Sequence, residues 1–205
     1  IAGAGGQTAT DSDSYKGLKA GSAIGISAGT FQIDSLDDTI HSNGDIAISG
    51  GVFTLASGDD GVHADGDLTV TAGDIDITQS YEGLEASTMT IAGGTVSLVA
   101  SDDGINVAGG NDGNTGAFGQ DSFSGGNGSR WLLIRGGTIY VDARGDGIDV
   151  HGNAEITGRE VYVNGPTANG NGALDYDGTF NVSGCILVSA GRSGMAQSPS
   201  TTSPQ

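Results

Sequence analysis

Basic residues, cysteine, proline and long apolar runs are all scarce in this chain of 205 residues. There are 7 Lys and Arg against 25 Asp and Glu, a formal net charge of −18. Nucleic acid is therefore not expected as a partner, because phosphate binding needs clustered cations. The single cysteine, Cys185, cannot form an intrachain disulfide, and the 3 prolines argue against a proline-rich or collagen-like chain. No apolar run approaches the ~20 residues that insert across a membrane.

Glycine is abundant, with 39 residues, and it punctuates an internal repeat. The segments 58–78, 80–100 and 144–163 share an acid, a glycine and an aliphatic residue, followed by two short alternating runs. Alternation at period two predicts short strands with one buried face, and the glycines predict tight turns. The aliphatic residue recurs every 21 or 22 residues, apart from intervals of 43 and 26, at Leu18, Ile40, Val62, Leu84, Ile105, Ile148, Leu174 and Met195.

Three short strands in about 22 residues are typical of one coil of a β-helix, whose apolar face is buried only by stacking. We predict an all-β, right-handed parallel β-helix of about eight coils. The handedness rests on analogy with pectate lyases and on the right-handed preference of parallel crossovers. Residues 1–197 would form one domain with a Gly-rich insertion at 111–130, followed by a Ser/Thr/Pro tail at 198–205. An antiparallel sandwich or barrel is the alternative architecture.

Acidic residues recur in register with the repeat, so stacking would align them in columns about 4.8 Å apart. At an effective dielectric near 20, two carboxylates at that spacing repel by roughly 3 kcal/mol. Calcium relieves such repulsion, because it accepts 6–8 oxygen ligands from carboxylates, amides and backbone. Solvated acidic turns are the alternative interpretation. The candidate calcium ligands are Asp37, Asp38, Asp59, Asp60, Asp65, Glu82, Glu85, Asp102, Asp103, Asn106, Asp146, Asp149, Asp175 and Asp177.

His41 and His63 occupy one of these columns in neighbouring coils. A zinc site is disfavoured, because no cysteine or third histidine completes a ligand set. The sequence therefore predicts two stacked surface imidazoles without a metal.

Aromatic residues supply candidates for sugar binding, since an aromatic face packs on a sugar ring while its polar edge stays hydrated. Tyr140 and Tyr162 are predicted one coil apart on the same outward column, with Leu187 next; an ordinary tyrosine ladder is the alternative. Trp131 is predicted to face outward directly after the insertion. It would either pack beneath that loop, under Phe118 and Phe123, or form a sugar platform.

The motifs YKGLKA (15–20), DDGVHADG (59–66), SYEGLE (80–85), SDDGINVAGGND (101–112), NGALDYDGTF (171–180) and GRSGMAQ (191–197) resemble a family of secreted bacterial carbohydrate-binding β-helix proteins. The resemblance implies a fold similar to pectate lyases, several calcium ions in the turns, and an extracellular or cell-surface location, although this chain itself contains no signal peptide. It also implies binding to cellulose or to pectin-like acidic glycans such as polygalacturonate. Thr39 replaces the repeat glycine, which weakens the case for Asp37 and Asp38 as ligands.

A calcium-dependent pectate-type lyase is the alternative function. β-Elimination needs a basic residue to take the α-proton, and Lys19 lies in the column of His41 and His63. Carboxylates nearby favour the charged form of a lysine, so Lys16 and Lys19 are better read as caps of the acidic columns. A structural cell-surface stalk or adhesin module is a third hypothesis. The sequence thus favours a binding protein over an enzyme, and it predicts no oligomeric state.

Overall fold

The computed structural model describes residues 14–108 and 130–200, which form strands and turns and contain no helix. The strands are β1 (Leu18–Ala20), β2 (Ala23–Ile26), β3 (Thr30–Ser35), β4 (Ile40–Ser42), β5 (Asp45–Ser57), β6 (Val62–Gln79), β7 (Leu84–Ile91), β8 (Thr95–Ala100), β9 (Ile105–Val107), β10 (Trp131–Ile134), β11 (Thr138–Ala143), β12 (Ile148–Val150), β13 (Asn153–Ile156), β14 (Glu160–Asn164), β15 (Leu174–Tyr176), β16 (Phe180–Val182) and β17 (Ile186–Ala190). No helix in these ranges is long and apolar enough to cross a membrane.

All the strand pairings across residues 14–108 and 130–200 are parallel, and each joins equivalent positions of successive coils. The predicted parallel β-solenoid is confirmed, and the antiparallel alternative is excluded. The right-handedness of the solenoid stays a prediction.

The strand pairing divides the solenoid into three faces. Face 1 holds β1, β4, the starts of β6 and β7, β9, β12 and β15. Face 2 holds β2, the start of β5, the middle of β6, the end of β7, β10, β13 and β16. Face 3 holds β3, the ends of β5 and β6, β8, β11, β14 and β17.

Aliphatic ladders fill the interior, because every second strand residue points inward. On face 1, Ile40 pairs with Val62 and Val62 with Leu84, and all three are fully buried. Burying a side chain of this size stabilises the fold by roughly 1.5–3 kcal/mol. The same ladders hold the coils in register, so the acidic residues in the turn before face 1 stack on those of the neighbouring coils.

The solenoid has about seven turns, one fewer than the predicted number of about eight, because the residues assigned to the eighth coil form no described strand. Met195, which was assigned to that coil, is 55% exposed and lies in no strand. A repeat position needs a neighbouring coil on each side to be buried, and no described strand stacks beyond β15. The predicted insertion at 111–130 lies outside the described residues except for Arg130.

Candidate metal and carbohydrate sites

Two columns of polar side chains run along the edge of face 1. The inner acid column precedes the face-1 strands and consists of Lys16, Asp38, Asp60, Glu82, Asp103 and Asp146. The second column lies on the strands, and the parallel register aligns its members in the predicted order Lys19, His41, His63, Glu85, Asn106, Asp149 and Asp175.

Each aspartate of the inner acid column caps the backbone of the next coil with one oxygen. Oδ1 of Asp38 accepts a hydrogen bond from the Asp60 N–H at 3.1 Å, and Oδ1 of Asp60 accepts one from the Glu82 N–H at 3.1 Å. Oδ1 of Asp103 accepts one from the Asp146 N–H at 2.5 Å. Since Oδ1 serves the backbone, Oδ2 remains as a potential ligand for a cation.

Most of these acids are removed from water, unlike the solvated turns of the alternative interpretation. Asp38, Asp60, Glu82, Glu85, Asp103 and Asp149 are each at most 9% exposed. Buried carboxylates are tolerated only when a counter-charge or several hydrogen bonds compensate them. Burial, followed by the charges of Asp60 and Glu85, raises the pKa of Glu82 well above its usual value.

Lysine neutralises the columns at their N-terminal end. The Lys16 ammonium lies 2.7 Å from Asp37 Oδ1 and also contacts Asp38 Oδ2. Burial alone would raise the pKa of Asp38, but hydrogen bonds from His41 and Lys16 lower it to about 2. Lys16 therefore caps the acidic column as the sequence predicts, and Asp38 stays ionised although Thr39 follows it. Lys19 is exposed on β1, beside His41 in the pairing register.

The histidines are buried, so their predicted surface position is wrong. His41 is 4% exposed and His63 is fully buried, with ring centroids 4.7 Å apart. Each Nδ1 faces the aspartate three residues earlier, at 2.7 Å between His41 and Asp38 and 3.0 Å between His63 and Asp60. Sequence periodicity places these residues in one column, but it does not show that the turns of neighbouring coils cover that column.

A second cluster, of oxygen ligands only, lies two coils further along. We define the oxygen cluster as Asp103, Asn106, Asp146 and Asp149; its three aspartates each place one carboxylate oxygen within 4.8 Å of the others. Asn106 is 1% exposed, and its Nδ2 donates to Glu82 Oε2 at 2.9 Å. Within residues 14–108 and 130–200, Asn106 Oδ1 has no hydrogen-bond partner. Because a buried carbonyl oxygen rarely lacks a partner, this atom is suited to bind a cation or to accept a hydrogen bond from water.

The charges of the oxygen cluster repel one another in the absence of a cation. Burial raises the pKa of Asp103 to about 8, and the charges of Asp149, Asp102 and Asp146 add to this. Burial raises the pKa of Asp146 to about 6, with Asp149 and Asp175 contributing. Calcium fits this donor set, since it prefers several carboxylate and amide oxygens and tolerates irregular geometry.

The remaining predicted ligands lie near the two histidines or near the oxygen cluster. Asp37, Asp38 and Asp59 offer carboxylate oxygens within 4.8 Å of one another. Asp102 is half-buried, whereas Asp177 is exposed. Asp175 accepts a hydrogen bond from Gln197 Nε2 at 2.6 Å. Asp65 Oδ1 lies 3.4 Å from His63 Nε2, so Asp65 belongs with the histidines.

Two tyrosines of neighbouring coils stack on each other on face 3. Tyr140 and Tyr162 pair in register, and their rings stack with centroids 5.2 Å apart and planes inclined by 7°. We call this pair the tyrosine ladder. Tyr140 is 46% exposed. The next member of the column is Val188, not Leu187 as predicted, because the final coils are 26 residues apart. The same interval separates Ile148 from Leu174, so the longer final repeat can be recognised from the sequence.

Trp131 lies on another face. It begins β10 on face 2, pairs with Asn153 and is 42% exposed. Face 2 and face 3 are separated by a corner of the coil, so Trp131 and the tyrosine ladder do not belong to one outward column. The predicted covering residues Phe118 and Phe123 lie outside the described residues.

The comparison with protein families supports a role in carbohydrate binding. Residues 1–61 match the model of a family described as carbohydrate-binding domain-containing protein. The match spans less than half of the chain and covers the first two coils. Neither the comparison with curated proteins nor that with solved structures found a match. The likeness to pectate lyases stays a prediction.

Proposed function

We propose that this chain is an extracellular polysaccharide-binding protein that holds calcium in the oxygen cluster and binds glycans such as cellulose or polygalacturonate. The tyrosine ladder is the observation that carries the proposal. Tyr140, which is exposed, and Tyr162, which is half-buried, stack on each other and present their remaining accessible apolar area to a sugar ring while their hydroxyls stay hydrated. The family match over residues 1–61 supports the same general role.

The surroundings of the ladder suit an extended polysaccharide. The outward column of face 3 continues from the tyrosines through Ser97, Asp76 and Thr54, whose side chains offer hydrogen bonds to sugar hydroxyls. In the other direction, Val188 adds exposed apolar surface. A glycan lying along the solenoid axis would contact stacked aromatic rings at one end and polar groups at the other.

Calcium contributes in a separate place. Asp103, Asp146 and Asp149 offer three clustered carboxylate oxygens, and Asn106, which pairs with Asp149, adds a buried amide oxygen, so the set is smaller than the 6–8 ligands that calcium takes. The open positions would be filled by water, or by a uronate carboxylate if an acidic glycan reaches face 1. Calcium therefore stabilises the coils and offers a second contact to acidic sugars.

Replacing either tyrosine of the ladder by alanine should lower affinity for insoluble cellulose roughly tenfold, about 1.4 kcal/mol, because the stacking surface is lost. Depletion isotherms of the wild type, Tyr140→Ala and Tyr162→Ala would measure this. Tyr140→Phe should retain most of the affinity, since the ring stays. Val52→Ala, on the same face at an exposed site in the second coil, serves as the matched control. Equal retention of all variants would remove the tyrosine ladder from the proposal.

An experiment with polygalacturonate distinguishes calcium-assisted binding from catalysis. Retention on a polygalacturonate gel is measured with calcium and with chelator, and the supernatant is monitored for ultraviolet absorbance of unsaturated uronate. Retention that needs calcium and yields no product supports the proposal. Product formation would make the protein a lyase, with Lys19 as the first residue to replace, and absence of retention on both polymers would favour a structural stalk.

A further inference from the structure

His63 is surrounded by more carboxylate oxygens than one imidazole N–H can serve. Its Nδ1 lies 3.0 Å from Asp60 Oδ2, 2.9 Å from Glu85 Oε2 and 3.8 Å from Asp38 Oδ2. An imidazole nitrogen carries a single proton, which forms one strong hydrogen bond. All four residues are at most 9% exposed, so water does not separate the carboxylates. A cation with several coordination positions satisfies this arrangement better than a proton does.

The second histidine supplies another nitrogen on the same side. His41 Nδ1 lies 2.7 Å from Asp38 Oδ2. Asp38, His41 and His63 each place one ligand atom within 4.8 Å of the others, and so do Asp60, His63 and Glu85. His63 belongs to both groups, so the two groups meet at one imidazole. We define the histidine cluster as Asp38, His41, Asp60, His63 and Glu85.

The far edges of the imidazoles have the environment that metal-bound histidines usually have. A ligating histidine typically directs its other ring nitrogen at a carboxylate, which sets the tautomer and orients the ring. Asp65 Oδ1 lies 3.4 Å from His63 Nε2 and 3.9 Å from His41 Nε2. Asp65 thus lies on the Nε2 side of both rings, whereas both Nδ1 atoms face the buried carboxylates. Binding of a metal at Nδ1 would place the N–H of each ring at Nε2, on the side of Asp65.

From these contacts we propose that the histidine cluster binds one divalent transition-metal ion of the zinc class. Imidazole nitrogen with carboxylate oxygen suits zinc, copper, nickel and iron, whereas calcium takes oxygen ligands. The carboxylates of Asp38, Asp60 and Glu85 offer up to three negative charges, and the lysine beside them, Lys16, is shared between Asp37 and Asp38, so a divalent ion would supply charge that the cluster lacks. The proposal does not depend on carbohydrate binding.

The two clusters of this solenoid therefore differ in the metal they select. Moving along the second column, the residue type changes from His41 and His63 to Glu85, Asn106 and Asp149. Within the second column, nitrogen donors end after the third coil and only oxygen donors follow; His151, whose Nε2 lies 3.3 Å from Asp149 Oδ2, is outside this column. A single stacked column thus carries a transition-metal site followed by a calcium site.

Titration calorimetry of the full chain tests the proposal. The protein is prepared without a histidine tag, stripped with chelator and dialysed, and then titrated with zinc chloride in excess calcium. We expect one zinc ion to bind although calcium is saturating. His63→Asn introduces an amide in the third coil, at the position that Asn106 occupies in the fifth coil. The amide keeps an N–H donor for Asp60. It should weaken zinc binding at least about 100-fold, beyond the 10–100-fold that loss of an outer-shell partner costs.

Matched variants and a spectroscopic readout make the outcome decisive. Asp149→Asn removes a charge from the oxygen cluster, so it should weaken calcium binding and leave zinc affinity within about twofold. Cobalt(II) substituted into the wild type should give the intense visible absorption of low-coordinate nitrogen-containing sites, and His63→Asn should abolish it. Thermal unfolding of the metal-free variants checks that each one folds. Zinc affinity that is unchanged in His63→Asn, zinc displaced by calcium, or a weak octahedral cobalt spectrum would each overturn the proposal.

Discussion

Chelator-treated protein should lose stability steadily as the pH rises from about 4 to 8, and calcium should restore it. The cause is the raised pKa of buried carboxyls, above all that of Asp103. Burial, followed by the neighbouring charges of Asp149, Asp102 and Asp146, raises the pKa of Asp103 from 3.8 to about 8. Between these two values the unfolded chain releases a proton that the folded protein retains. Because the folded state then binds more protons, the free energy of unfolding falls with rising pH.

The expected size of this effect is large. A single carboxyl shifted by this much is worth on the order of several kcal/mol, a substantial fraction of the stability of an ordinary domain. Asp60 and Glu82 add to it with the same sign, because burial and neighbouring acids raise the pKa of each. Asp38 has the opposite effect on the pH dependence. Its pKa is lowered to about 2 in the folded protein, so its ionised form stabilises the fold above about pH 4. Calcium replaces the proton at the oxygen cluster, so the calcium-loaded protein should lose only the part of the stability that Asp60 and Glu82 control.

Urea unfolding at pH 5 and pH 8, with chelator and with calcium, measures this prediction. Asp103→Asn keeps an oxygen to accept the Asp146 N–H but carries no charge, so in chelator it should be more stable than the wild type at pH 8 and gain less from calcium. Asp76→Asn, at an exposed site on face 3, is the matched control and should behave as the wild type. Equal stability of the chelated wild type at both pH values would show that another group compensates these acids.

The strand pattern and the column order could be predicted from sequence because both follow from one repeat length. Once Ile40, Val62 and Leu84 are recognised as equivalent, parallel stacking determines the neighbour of every residue on the same strand. The prediction fails where the repeat length changes or ends. Val188 rather than Leu187 continues the tyrosine column after an interval of 26 residues, and Met195 lies after the last described strand and stays exposed.

The chemistry of the columns could be predicted only in part, because it depends on burial and side-chain direction. The sequence places His41 beside His63 but does not reveal that both are buried or that Asp65 faces their Nε2 atoms. It likewise aligns Asn106 with Asp149 without showing that the Asn106 amide is held by Glu82. These details arise from side chains of three successive coils, and no single repeat contains them.

A second large effect is expected at the glycine column that follows the inner acid column. A Cβ atom built on Gly83 would lie 2.4 Å from the Gly104 carbonyl oxygen and 2.8 Å from Leu98 Cδ1. Gly61 has the same restriction, 2.5 Å from the Gly83 carbonyl oxygen. The neighbouring atom is backbone of the next coil, which cannot rotate away. Gly83→Val should therefore destabilise the fold by about 3 kcal/mol, at the upper end of overpacking costs.

Thr39 suggests how one coil escapes this restriction. It occupies the glycine position of the second coil, is fully buried, and its hydroxyl donates a hydrogen bond to the Gly61 carbonyl oxygen. Threonine and valine have nearly the same shape, so Gly83→Thr should be more stable than Gly83→Val by about 1 kcal/mol, the value of one hydrogen bond. Gly25→Val is the control: it lies on β2 with nothing within 4 Å of the added Cβ, and should cost little. If Gly83→Val and Gly83→Thr unfolded at the same urea concentration, the hydroxyl would have no such role, and Thr39 would be accommodated by local widening of its coil instead.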